Sequence, residues 1–155
     1  MIQRFYIDTS VIGGVFDTEF EEHSTILFEK IRLGGIKAVI SEVTQDEISK
    51  ARKEIRDFLK ELPGECVEFV ELTADAVQLA DAYIAEKVVG RTSRNDCLHI
   101  AMATVTRVDV LVSWNFKHIV NIYRIRGYNS VNIKSGYGSL EIRSPKDIVG
   151  YENEK

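Results

Sequence analysis

Apolar and polar positions change period several times along this chain, and the changes mark out its elements. "MIQRFYID" reads as a strand of mixed alternation, with Ile2, Phe5 and Ile7 as its apolar members, ending at Asp8. A polar turn, "DTS", follows. Across 20–33 the apolar residues Ile26, Leu27 and Ile31 fall at helical spacing, and Gly34-Gly35 supplies a stop. "IKAVI" returns to strand over 36–40. Ser41 then caps a helix bearing Val43, Glu47 and Ile48, and "KEIRDFLKEL" continues helically until Pro63-Gly64.

Thr73 caps a further helix, "ADAVQLADAYIAEKVV", whose Ala76, Leu79, Ala80, Tyr83 and Ile84 make one stripe. After Gly90, "TSRNDCLHIAMATV" predicts a helix that is apolar nearly all round and headed by Asp96. "VDVLVSW" carries a third strand over 108–112, and a polar-edged helix is expected over 117–127. A last short strand, "SLEIR", leads to Ser144-Pro145, a cap and first-turn pair opening a closing helix. Strands alternating with helices predict an α/β fold, a mostly parallel sheet with helices on both faces. In such sheets ligands gather outside the carboxyl ends of the strands. Asp8, Ser41 with the helix after it, and Ser113-Trp114-Asn115 all fall there.

Composition narrows the classes. The chain has 155 residues, 45% of them hydrophobic, which suits one domain with a real core. With 28% charged residues and a net charge of −4, no global positive field recruits nucleic acid, so any such binding must come from local patches. Cys66 and Cys97 lack the spacing of a zinc site or a disulfide framework, and a reducing cytoplasm is the expected setting. No apolar run reaches membrane-spanning length and no leader precedes the first strand, so the expectation is a cytoplasmic protein without membrane contact.

Three acids sit at element junctions: Asp8 after the first strand, Glu47 two turns into the helix after the second, and Asp96 at the head of the apolar helix. Brought together, they raise one another's pKa unless a cation neutralises them. Hard oxygen ligands without thiolates suit Mg2+ or Mn2+ rather than zinc. The chemistry open to such a cluster is metal-assisted phosphodiester hydrolysis. Each acid also has a plainer reading. Asp8 can cap a helix, Glu47 can belong to a solvated face with Glu42, Asp46 and Glu54, and Asp96 can be a first-turn acid favoured by the helix dipole. His99, one turn beyond Asp96, is either a satisfied core histidine or a group touching substrate or metal; His118 either meets phosphate or caps carbonyls; Trp114 packs.

"FYIDTSVIGG", "SEVTQDE", "NDCLHIAMA", "LVSWNFKHI" and "EIRSPKDI" resemble, in order, the successive motifs of PIN domains, particularly the VapC-type toxins of bacterial and archaeal toxin–antitoxin pairs. The resemblance runs from Phe5 to about Ile148. It implies a three-layer PIN-like fold, with 1–150 a single nuclease domain and 151–155 a short polar C-terminal tail. It matches Asp8 to the first metal-binding aspartate, Glu47 to the glutamate of the second motif, and Asp96 to the aspartate opening a "D-x-x-H-I-A" helix. It further implies a Mg2+- or Mn2+-dependent ribonuclease and, for toxin members, a cognate antitoxin and a homodimer. Where many members carry a fourth aspartate this chain has Asn115, which offers a neutral oxygen instead.

The first functional reading is therefore an endoribonuclease acting on single-stranded or loop RNA, with Asp8, Glu47 and Asp96 as metal ligands and Asn115 as a fourth catalytic position. Thr9, Ser10, His99, Ser113, Lys117 and His118 are the candidates for touching substrate. Lys50, Arg52, Lys53, Arg56, Arg91 and Arg94 join Lys117 as a source of positive charge. The alternative is a catalytically weak or inactive module of the same fold that binds a protein or RNA partner. A phosphatase with Asp8 as nucleophile is set aside, because Ser10 stands where that chemistry wants a second acid.

Overall fold

A computed structural model describes residues 1–150; the tail expected at 151–155 lies outside the described residues. Its strands are β1 (Gln3–Ile7), β2 (Ile36–Ser41), β3 (Val67–Val70), β4 (Val110–Val112) and β5 (Ile142–Arg143). They pair in the order β3-β2-β1-β4-β5, every pairing parallel. The two-residue period of a strand sends alternate side chains to opposite faces. Phe5 and Ile7 thus join Ala38, Ile40, Val110 and Val112 in one core, while Tyr6 joins Val39 and Leu111 in the other.

Helices α1 (Thr9–Gly14), α2 (Glu21–Arg32), α4 (Lys53–Glu61) and α8 (Pro145–Val149) cover the first face. The second is covered by α5 (Ala74–Ala85), α6 (Arg94–Thr106) and α7 (Ile122–Lys134). Helix α3 (Glu42–Ser49) follows β2 at the carboxyl edge and feeds both cores, Val43 into one and Ile48 into the other. The result is the expected three-layer α/β fold. Because β2 and β4 flank β1 on opposite sides, the chain reverses its winding at β1, opening a crevice at the carboxyl ends of β1 and β4.

Three local expectations are corrected. The polar turn after Asp8 is the first turn of α1. Strand β3 was not foreseen: it is four residues at the sheet edge, with Glu68 and an exposed Phe69 breaking the alternation that would mark it. The helix expected over 117–127 begins at Ile122, where the Asn121 side chain accepts from the N–H groups of Tyr123 and Arg124, and runs on to Lys134. Gly127 therefore lies inside the helix rather than at its end. A Cβ there would lie 2.8 Å from Val88 Cγ1, so the glycine admits a close helix contact. The two cysteines are free and buried, and burial pushes the Cys97 thiol up to about 12. Among the described residues no helix is long and apolar enough to cross a membrane.

Candidate functional site

Asp8 leaves β1 in extended conformation, holding its backbone N–H on Val112 of β4, and stands at the N-cap of α1. Its side chain makes no capping bond. Instead Oδ2 accepts from Ser10 Oγ and Ser113 Oγ, each at 2.7 Å, with the residue only 5% exposed. The two serines are themselves fixed, Ser10 Oγ accepting from the Trp114 N–H and Ser113 Oγ from the Asn115 N–H. One carboxylate thus ties the ends of β1 and β4 together.

Glu47 reaches in from α3. Its Oε1 accepts from Thr9 Oγ1 at 3.0 Å and from His99 Nε2. His99 projects from α6 with 1% exposure, its Nε2 also 3.4 Å from Asp8 Oδ1 and its Nδ1 2.6 Å from the Tyr6 hydroxyl. That hydroxyl lies 2.6 Å from Ser41 Oγ, which caps α3 by accepting from the Thr44 N–H. A protonated His99 satisfies every member: both ring N–H groups donate, to Glu47 and to Tyr6, and Tyr6 donates onward to Ser41. Burial alone would lower the His99 pKa, but the Tyr6 oxygen and the Asp8 and Glu47 carboxylates outweigh it and hold the ring well above its usual value. Burial likewise works to raise Glu47, and His99 and Thr9 overcome it, leaving that carboxyl below its usual range.

Asp96, half-buried in the first turn of α6, accepts from Asn115 Nδ2 at 3.2 Å through Oδ1. Burial pushes its pKa up, and the charges of Asp8 and Glu47 push the same way against His118 and His99. Asn115 in turn uses its Oδ1 to accept from the N–H groups of Lys117 and His118. It is both a cap for the turn after β4 and a holder of Asp96. His118 has a buried Nδ1 without a hydrogen-bond partner among the described residues, and Tyr128 anchors its backbone carbonyl.

Asp8, Thr9, Ser10, Glu47, Asp96, His99, Ser113 and Asn115 are thus linked at one end of the sheet. Lys117 is exposed at the rim, and His118 acts on Asp96 through charge. Three of the basic candidates are engaged elsewhere: Lys50 pairs with Asp46, Arg52 with Glu54 and Arg94 with Asp81. The excess negative charge and hard oxygen donors fit a divalent cation. Among the described residues, however, no three His, Cys, Asp or Glu side chains are gathered closely enough to hold one as they stand, since Glu47 turns to Thr9 and His99 while Asp8 is tied to its serines.

The sequence places Ser41 as a helix cap at the carboxyl edge but does not signal Tyr6, nor that Tyr6 joins Ser41 to His99. An aromatic in a strand and a helix cap both have sufficient structural reasons, and nothing local signals that they meet over His99. Phe116, in the same turn beside Asn115, is half-exposed and meets Trp114 edge-on. Trp114 packs as expected, stacked on Phe20 with its Nε1 donating to Ser24 Oγ.

No family profile matches this sequence, and no curated protein matches it. The fold does have relatives. A chain of the crystal structure of VapBC2 from Rickettsia felis, bound to a DNA fragment from their promoter, superposes with a TM-score of 0.58 at 15% identity over 92% of this chain and 98% of that one. A chain of a toxin–antitoxin complex from Klebsiella pneumoniae matches with a TM-score of 0.54 at 18% identity, over 72% and 87%. At such identities the likeness is one of fold, and that fold is the PIN-like three-layer arrangement the motifs resemble.

Proposed function

We propose that this chain is a Mg2+- or Mn2+-dependent endoribonuclease that hydrolyses phosphodiesters of unpaired RNA, and the toxin of a type II toxin–antitoxin pair, self-associating as a homodimer and held by a cognate antitoxin. The observation that carries the catalytic part is the convergence of Asp8, Glu47 and Asp96 on the end of the sheet where its winding changes, with the Asp96 carboxyl pushed up in pKa by burial first and then by the charge of Asp8. The toxin part is supported by the shared fold and the motif resemblance.

Asp8, Glu47 and Asp96 would hold the ion. When bound, Mg2+ or Mn2+ makes water a stronger nucleophile at neutral pH and offsets charge on the phosphodiester. The chain's own contribution is orientation. Ser10 and Ser113 fix the Asp8 carboxylate, Thr9 and His99 fix Glu47, and the Asn115 amide fixes Asp96. The same bonds keep the three carboxylates from closing on one ion as they stand, so binding it would require Glu47 to turn from His99.

The test is cleavage of single-stranded RNA in Mg2+, in Mn2+ and in chelator by wild type and Asp96→Asn. Loss of one ligand should lower the rate by about 100-fold or more while the protein stays folded. In metal-free buffer Asp96→Asn should melt no lower than wild type, because it removes a repelled charge, and Mg2+ should stabilise wild type more. Cutting by Asp96→Asn at the wild-type rate, with contamination excluded, refutes the assignment. The competing reading, an inactive binding module, draws on Asn115, whose amide is occupied by Asp96 and two backbone N–H groups; it requires partner binding that persists in chelator.

A further inference from the structure

We propose that Phe116 is a stacking platform for an unpaired nucleobase, so that the acidic crevice takes a strand whose base next to the reacting phosphodiester lies splayed out of any duplex. This rests on the nuclease reading and adds to it how the site recognises single strands.

The loop after β4 alternates in what it does. Ser113 and Asn115 turn their side chains to the acids Asp8 and Asp96. Trp114, between them, goes inward: its ring stacks on Phe20 at 4.5 Å and 23°, and its Nε1 donates to Ser24. Phe116 extends this aromatic series toward solvent. Its ring meets Trp114 at 6.1 Å and 64°, and half of the residue's surface remains exposed. An exposed aromatic forgoes the burial that normally accounts for one.

The backbone around Phe116 is pinned. The N–H groups of Lys117 and His118 bond to Asn115 Oδ1, and those of Ile119 and Val120 bond to the Asn115 carbonyl. The backbone that carries the ring is therefore held by a firm turn one residue from the group that bonds Asp96, so a ligand that stacks on the ring has no loop to order. Lys117, exposed and next in the chain, supplies a cation of the kind a phosphate backbone attracts. A half-exposed aromatic ring with a cationic residue next in the chain combines the two elements, a stacking surface and positive charge, by which single-stranded nucleic acid is held without sequence preference. A base inside a duplex has both faces covered and cannot use it.

Binding is measured in Mg2+ in an Asp96→Asn background, with a fluorescein-labelled single-stranded 12-nucleotide RNA and with the same RNA annealed to its complement. Trp114, the sole tryptophan of the chain, serves as a second reporter beside the platform. The single strand should bind more tightly than the duplex and change Trp114 emission. Phe116→Ala and Phe116→Leu should weaken single-strand binding by about 5- to 100-fold, from the range seen for base–aromatic stacking. Duplex binding should be unaffected, and Phe116→Tyr should bind as well as Phe116. Phe69→Ala, which removes another exposed aromatic from the far edge strand β3, should leave both affinities unchanged. Single-strand affinity within twofold of the Asp96→Asn parent in both Phe116→Ala and Phe116→Leu overturns the proposal, as does equal or absent binding of the two RNAs by that parent; the ring would then serve a protein contact. Failure of the nuclease reading is distinct: wild type would not cut RNA in Mg2+ even though single-strand binding still depended on Phe116.

Discussion

Deleting one oxygen, by Tyr6→Phe, isolates the buried chain of hydrogen bonds that reaches from β2 to the acids. The Tyr6 ring is fully buried and Phe retains nearly all of its volume, so packing is preserved. Two bonds are lost. Ser41 Oγ keeps the Thr44 N–H, so that side of the deletion costs an ordinary hydrogen bond, about 1 kcal/mol. His99 Nδ1–H is left without its acceptor at a site closed to water, which costs about 1–3 kcal/mol. The expected loss is about 3 kcal/mol in urea unfolding, or roughly 6–12 °C in Tm for a chain of this size. The pH dependence follows from the direction of the His99 shift. Its folded-state pKa is raised, so its contribution is fully present below the usual value of 6.5 and is lost as pH rises through the elevated folded value. Tyr6→Phe withdraws an acceptor from the charged form, so its deficit should be largest below pH 6.5 and narrow on the alkaline side. A variant within 0.5 kcal/mol of wild type at pH 6, or a deficit that widens with pH, would refute the protonated network.

Asn115→Ala removes the donor to Asp96 together with the cap on Lys117 and His118, and should slow RNA cleavage about tenfold, a 1.4 kcal/mol effect, in initial-rate assays; an unchanged rate would reduce Asn115 to a turn cap. Asn115→Asp adds a carboxylate beside Asp96 and should raise Mg2+ affinity in calorimetry, with no change showing that this position does not face the ion. Gly14→Ala would put a Cβ 2.6 Å from Ser24 Oγ and 2.9 Å from Trp114 Nε1, so it should destabilise by about 1–3 kcal/mol and alter Trp114 emission. A wild-type urea midpoint would mean the α1–Trp114 contact relaxes freely.

The fold was readable where periodicity is strong and local. Alternating strands and helices implied a parallel sheet, and the strand ends carrying Asp8, Ser41 and Ser113 were where the structure has them. Reading failed where a residue serves a distant partner. The helix expected to end at Gly127 runs through it, because the role of that glycine, making room for Val88, is written elsewhere in the chain. Among the described residues strand β3 pairs with β2 alone and leaves Phe69 largely exposed, so its four residues lack the apolar alternation that a half-buried strand displays.

His99 illustrates why the site was only half legible. Sequence offers two exclusive roles for it, a satisfied core histidine or a group at the acids, and the structure makes it both. The reason is geometric. In a parallel sheet the residue one short of a strand's end still faces the core, as Tyr6 does, while the next junction residue, Asp8, opens to the crevice. A side chain from α6 that crosses this boundary finds a phenol on its buried side and carboxylates on the other. Neither contact has a spacing in the sequence, since 93 residues separate Tyr6 from His99 and 52 separate Glu47 from it. The acids could be read because each lies at a junction the strands announce; their holder could not, because its two partners come from separate strands and helices that only the folded sheet brings to one edge.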